Sequence, residues 1–143
     1  MSLDVAASIA KADELIESEI ATQTKMWGAD AVRADCRGSE LIHAAQASCL
    51  LTVLKEDPGF TPAHESAAVK LAEDAFYPAN WSGFRDYGNV YNLVVAAAFL
   101  RNEIARRIAA GQSFDRKPRQ PDQTYNAATG LPAVSSAEAR GEV

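Results

Sequence analysis

The sequence is poor in the residues that build metal centres, disulfide frameworks and nucleic-acid grips. It has two cysteines (Cys36 and Cys49) and two histidines (His43 and His64), and no metal-ligand spacing relates them. The cysteines read as free thiols in a reducing compartment, with Cys49 placed in a core. Basic charge is also short: the formal net charge is -5 and the pI is near 5.0, which supplies no field for a phosphate backbone, so no nucleic-acid partner is expected. Long apolar runs are missing. The longest, Leu93–Leu100, is far shorter than the roughly 20 residues a membrane span needs, so no membrane partner is expected. The start, "MSLDVAASIAKADELIESEI", carries acids where a secretion signal needs a basic segment and an unbroken apolar one. A cytoplasmic protein is expected. No Gly-x-Ser-x-Gly elbow and no phosphate-cradling glycine loop occurs. The sequence therefore predicts no enzyme and no cofactor.

What is present is helical periodicity. Val5, Ile9, Ala12, Ile16 and Ile20 recur in steps of three and four, with Lys11, Asp13, Glu14, Glu17 and Glu19 mostly off that stripe, predicting an amphipathic helix from Leu3 to about Met26. A turn follows at "MWG", and Asp30 is placed to cap a short helical segment. A second helix, about Ser39–Lys55, is apolar around most of its circumference and belongs at the centre of a bundle; Pro58 ends it. Thr61 and Pro62 are an N-cap and first-turn proline for a third helix, with Ala68, Leu71, Ala72, Ala75 and Phe76 on one face. A fourth helix runs from Val90 to about Ala110, with Asn89 as its cap and Gly111 as its stop. Its expected inward stripe is Leu93, Ala97, Leu100, Ile104 and Ile108.

From Gln112 onward, prolines accumulate and no period is sustained. The expected organisation is thus an all-α small helical bundle of three long and one or two short helices over residues 1–111, with an extended tail over 112–143.

Three constellations invite a chemical reading. Glu40 and His43 have the Glu-x-x-His spacing of di-iron bundles, but the counterpart, Glu103 to Arg106, ends in a cation where the second histidine should stand. Glu14 and Glu17 supply half of the carboxylate set of the helical nucleotide pyrophosphohydrolases, and no Glu-x-x-Asp follows. No metal ligand is assigned from either. The third is a loop in which six of the eleven aromatic residues fall within residues 76–91. Its rings can close the ends of the flanking helices. Alternatively, Tyr77, Trp81, Phe84, Arg85, Tyr87 and Tyr91 form a binding surface for a ligand or partner, because rings stack on planar groups and arginine pairs with phosphate or carboxylate.

The order of features resembles a widespread group of small phage and prophage proteins. The resemblance is carried by "MWG" (Met26–Gly28), "GSELIHAAQA" (Gly38–Ala47), "YPANWSGF" (Tyr77–Phe84) and above all "NLVVAAAFLRNEIARR" (Asn92–Arg107). It covers roughly residues 15–108, and the last stretch is the most specific. Where members of the group often carry a histidine and aspartate cluster, this chain has "AVRADCR", and Glu56–Asp74 is a long insertion. The resemblance implies a phage-encoded, helical, cytoplasmic protein and implies no activity. The leading expectation is an accessory protein that acts by self-assembly into a homo-oligomer or by binding a host or phage protein. The alternatives are a protein that sequesters a small nucleotide with the 77–91 loop, and a metal-dependent nucleotide pyrophosphohydrolase.

Overall fold

A computed structural model describes residues 3–27 and 39–118. It contains α1 (Val5–Trp27), α2 (Glu40–Lys55), a 3-10 turn (Pro62–His64), α3 (Glu65–Phe76) and α4 (Asn89–Ala109), with no strand among the described residues. The fold is an all-α small bundle. The segment that Asp30 was expected to cap lies outside the described residues, as does Cys36.

The helix ends follow local chemistry. Asp4 Oδ1 accepts the Ala7 amide at 2.7 Å, capping α1. After α2, Asp57 accepts the Gly59 amide at 2.8 Å through its side chain and the Phe60 amide at 2.9 Å through its carbonyl, which turns the chain at Pro58. The Thr61 amide then donates to His64 Nδ1 at 3.2 Å, and Pro62 opens a 3-10 turn rather than the third helix itself, which starts at Glu65. At the far end of α4, Gly111 adopts φ 88°, and the Gly111 and Gln112 amides bond the Ile108 and Arg107 carbonyls, each at 3.0 Å. This is a Schellman stop, and the left-handed position explains the glycine.

The start of α4 departs from expectation. Asn89 is the first helical residue, not the cap; Gly88, at φ 97°, precedes it, and Asn89 Oδ1 makes no hydrogen bond. The Gly88 amide is taken instead by Asp86 Oδ1 at 2.9 Å.

The packing runs α1–α4–α2–α3: among the described residues α1 touches only α4, and α3 reaches the bundle through α2. Between α2 and α4, Leu41, Ala44 and Ala45 meet Val95, Ala96 and Phe99, with Cys49 at the margin. Alanine on both helices allows close approach. Between α2 and α3, Leu51 meets Ala68 and Ala72, flanked by Leu50, Leu54, Phe60 and Val69. Helix α2 is thus central, as its apolar circumference requires.

The expected stripes of the outer helices are corrected. On α4, Leu93, Leu100, Ile104 and Ile108 are 49%, 41%, 60% and 44% exposed, while Asn92, Val94, Val95, Ala96, Ala98, Phe99, Asn102 and Glu103 are buried. Alanines that let α2 approach, with Val94, Val95 and Phe99, and the asparagines Asn92 and Asn102, whose partners lie on other elements, fix the inward face, and Glu103 pairs within α4; the leucines and isoleucines are left outside. On α1 the same occurs by position: Ile20 is buried, Ile16 half-buried, and Val5 and Ile9 stand 77% and 59% exposed. On α3, Ala68 and Ala72 face inward while Leu71 and Ala75 are exposed. The chain divides into units of residues 1–112 and 113–143, and the described part of the second, 113–118, has no helix or strand.

Candidate functional site

The aromatic loop begins where α3 must stop. Pro78 drives the preceding residue out of the helical region, and Tyr77 is extended at φ -64°, ψ 135°. The chain turns back at once, the Trp81 amide donating to the Pro78 carbonyl at 3.0 Å, and the Tyr77 hydroxyl donates to the Ser82 carbonyl at 3.3 Å. Gly83 lies at φ 90°, a left-handed conformation that glycine adopts without strain.

The six candidate residues fall into three places. Tyr77, Trp81 and Phe84 fold together over the bundle. The Tyr77 ring centroid lies 5.9 Å from that of Trp81, edge-on at 83°, and 4.9 Å from that of Phe84, and Trp81 lies 6.1 Å from Phe99. Tyr77 and Trp81 pack on the α2–α4 core and Phe84 on the α2–α3 core, so one short loop closes both. Arg85 is exposed and turned onto its own loop, its Nε 3.4 Å from the Gly83 carbonyl. Tyr87 and Tyr91 pair at 6.1 Å; the half-buried Tyr91 also rests on the α2–α4 core and donates its hydroxyl to Glu19 Oε2 of α1 at 2.8 Å.

The residues that fasten the loop lie outside those six. Asp86 Oδ2 receives Lys55 Nζ from the end of α2, and its Oδ1 receives the Gly88 amide and Asn92 Nδ2 at 3.0 Å. Asn92 Oδ1 in turn accepts the Tyr87 amide at 2.9 Å. Burial alone would raise the Asp86 pKa; hydrogen bonds from Lys55, Gly88 and Asn92 outweigh it and hold the carboxyl below its ordinary value. The sequence signal for this knot was "DYGN" followed by a second asparagine at the front of an apolar helix, a turn-forming aspartate with a polar residue in a core position.

A second polar cluster joins α1 to α4. Asn102 Nδ2 donates to Gln23 Oε1 at 2.9 Å, Arg101 Nη1 donates to Asn102 Oδ1 at 3.1 Å, and Gln23 Nε2 donates to Glu19 Oε1 at 3.3 Å. Glu103, 3% exposed, takes Arg106 and Arg107 on Oε1, and its Oε2 has no hydrogen-bond partner.

The metal-like spacings do not assemble. His43 is exposed, Glu103 is engaged by arginines, and Glu14 and Glu17 lie on the exposed side of α1, with Glu14 3.1 Å from Lys11. Among the described residues no group of three His, Cys, Asp or Glu side chains converges. No helix among them is long and apolar enough to cross a membrane.

Concave surface lies on either side of the inward trio. A cavity of about 520 Å³ holds Phe84, Arg85 and Lys70, but also Glu65, Glu73 and Asp86. Its cations are matched by carboxylates, which weakens its field for a phosphate. Another of about 380 Å³ is lined by Glu73, Asp74, Tyr77, Pro78, Ala79 and Trp81. No protein-family model, no curated protein and no solved structure matches this chain.

Proposed function

We propose that this protein works by protein–protein association, as a self-assembling accessory protein of the phage type, and that two copies meet through the outer face of α4. One observation carries the reading: the exposed row Leu93, Leu100, Ile104 and Ile108, with Val90 (70% exposed) before it. Its steps of three, seven, four and four keep it on one face of the helix, as a helix–helix contact requires. A continuous aliphatic row left outside a small bundle is the kind of surface that marks an interaction site.

Charge favours a second copy as the occupant. Described α1 and its cap carry Asp4, Asp13, Glu14, Glu17 and Glu19 against Lys11 and Lys25, whereas α4 carries Arg101, Arg106 and Arg107 against Glu103. The exposed apolar start of α1 therefore complements the α4 row in both hydropathy and sign. In a two-fold arrangement each copy supplies both halves of the contact, doubling the buried area toward the ~1,200 Å² of a specific interface. The nucleotide-sequestering alternative has no comparable observation behind it, since Arg85 shares its cavity with one of the inward rings, Phe84, and with the carboxylates Glu65, Glu73 and Asp86.

The test is sedimentation velocity and native mass spectrometry from sub-micromolar to tens of micromolar protein. The expected result is a wild-type dimer or higher oligomer that Leu100→Glu and Ile104→Glu convert to a folded monomer. A wild type that stays monomeric over that range overturns the reading.

A further inference from the structure

Resting on the self-association proposed above, we infer that the first half of α1 is an exchange arm. Residues 3–14 of each copy lie along the α4 row of the other, and their helix is held firmly only in that assembled state. Within one chain α1 is half supported. Glu19 meets Tyr91 in the first turn of α4 and Gln23 meets Asn102 further along, so the two helices run the same way. The part of α1 well before Glu19 therefore projects past the start of α4. Residues 3–14 are exposed apart from the half-buried Ala7. Their side chains make hydrogen bonds and ion pairs only within the segment: Asp4 with the Ala7 amide, Ser8 with the Leu3 carbonyl and Lys11 with Glu14.

The segment is nevertheless built to pack. Val5, Ile9 and Ala12 continue the line of the half-buried Ile16 and the buried Ile20, so the apolar face of α1 runs on where its own bundle ends. Asp4 caps the helix, and Ala6, Ala7, Ala10 and Ala12 favour it. A stretch of this length without tertiary packing is still only marginally helical in water. A segment with a cap, helix propensity and an apolar face, but nothing to lie on, orders when a surface arrives.

The row on a second copy's α4 is that surface. At about 1.5 Å per residue, residues 3–12 span ~14 Å and residues 93–104 span ~17 Å, so arm and row match in length. Their charges match as well: the arm carries Asp4, Asp13 and Glu14 against Lys11, and Arg101 and Arg107 sit next to Leu100 and Ile108 of the row. Because α1 is one continuous helix, its front cannot fold back onto the row of its own chain. A two-fold pair gives each arm a row and each row an arm.

The experiment compares wild type, Ile9→Lys, Leu100→Glu and an equimolar mixture of the two variants, all as full chains. Association is read by native mass spectrometry and ordering of the arm by amide hydrogen exchange at the same concentrations. Wild type is expected to protect residues 7–14 only where it associates. Each variant alone is expected to associate about ten-fold or more weakly while staying folded, since both substitutions are at exposed positions. In the mixture one arm and row are native, and in the other contact the introduced lysine meets the introduced glutamate. A heterodimer is therefore expected where neither variant pairs with itself. Ile9→Lys associating as wild type does overturns the arm and leaves self-association through α4 standing. A mixture without heterodimer overturns the exchange, and equal protection of residues 7–14 in monomer and dimer overturns the ordering. Loss with Ile9→Lys but not with Leu100→Glu pairs arm with arm and overturns both readings. A wild type that stays monomeric is the separate result that removes self-association itself, and the arm with it.

Discussion

The two sides of α4 are joined to the rest of the molecule by opposite means. Toward α2 the seam is aliphatic and tight, with Leu41, Ala44 and Ala45 against Val95, Ala96 and Phe99. Toward α1 it is largely polar, with Tyr91 to Glu19 and Asn102 to Gln23 and Ile20 as the buried aliphatic of α1. Apolar burial scales with area and tolerates small shifts, whereas each buried polar pair is worth only about 0.5–1.5 kcal/mol net and costs more when half of it is lost. The α2 seam therefore holds the bundle together, and the α1 seam fixes where α1 lies. That leaves the front of α1 and the outside of α4 available to another chain.

The comparison breaks most visibly at Leu41, which has no exposed surface. Leu41→Ala is expected to cost about 2–5 kcal/mol and to shift the whole denaturation curve. A loss confined to one helix, seen by hydrogen exchange, would mean that the α2–α4 seam is not the common core.

Next in size is Asp86, which ties the loop to α2 through Lys55 and to α4 through Asn92. Asp86→Asn is expected to cost about 1.5–3 kcal/mol at neutral pH, the range for hydrogen bonds to a charged group. The Asp86 pKa is depressed in the fold, so its contribution is complete above the unfolded value. It fades as pH falls below about 4, through the lower folded value. Wild type and variant should therefore converge in acid. A gap that persists unchanged to about pH 2 would assign the effect to shape rather than charge.

How much of this was legible in the sequence differs between the seams. Helix α2 was readable because an almost wholly apolar helix has only one place in a bundle, and Thr61–Pro62 and Gly111 mark ends through their own backbone chemistry. The faces of α1 and α4 were misread for a physical reason. Periodicity ranks residues by hydropathy, but α4 buries the side chains that permit close approach or find a partner, so alanine and asparagine displaced leucine and isoleucine. The partners of Asn92 and Asn102 lie on other elements: Lys55 joins through Asp86, and Gln23 is on α1. Spacing within one helix cannot show such pairs. In the loop, the aromatic crowding was plain, while the folding of Tyr77 and Trp81 onto the core depended on the turn at Pro78, and the carboxylates around Arg85 come from α3 and Asp86.

The polar seam is sharpened by a double substitution. Asn102→Leu strips Gln23 Oε1 of its donor in a buried position and is expected to cost about 1–3 kcal/mol, with hydrogen exchange rising chiefly in α1. Gln23→Leu combined with Asn102→Leu removes both polar groups and should recover much of that loss. Strict additivity of the two single substitutions would show that the pair does not act as a unit.

The smallest expected effect is at Tyr91, and it tests whether the polar seam is regulated by its own chemistry. Tyr91→Phe keeps the ring on the core and removes only the hydroxyl that donates to Glu19, at an expected cost of about 1 kcal/mol. The hydrogen bond to Glu19, then burial, raises the Tyr91 pKa, because ionisation would leave two oxyanions facing each other. The contribution is therefore whole below the tyrosine's ordinary value of about 10 and is lost as pH rises through the higher folded value. Stability curves of wild type and Tyr91→Phe should run parallel through neutrality and meet in alkali, while hydrogen exchange reports faster opening of α1 in the variant. Parallel curves that never meet would place Tyr91 among the packing residues of the α2 seam. Convergence would make it the hinge between the two seams, since its ring rests on the core with Phe99 while its hydroxyl holds α1.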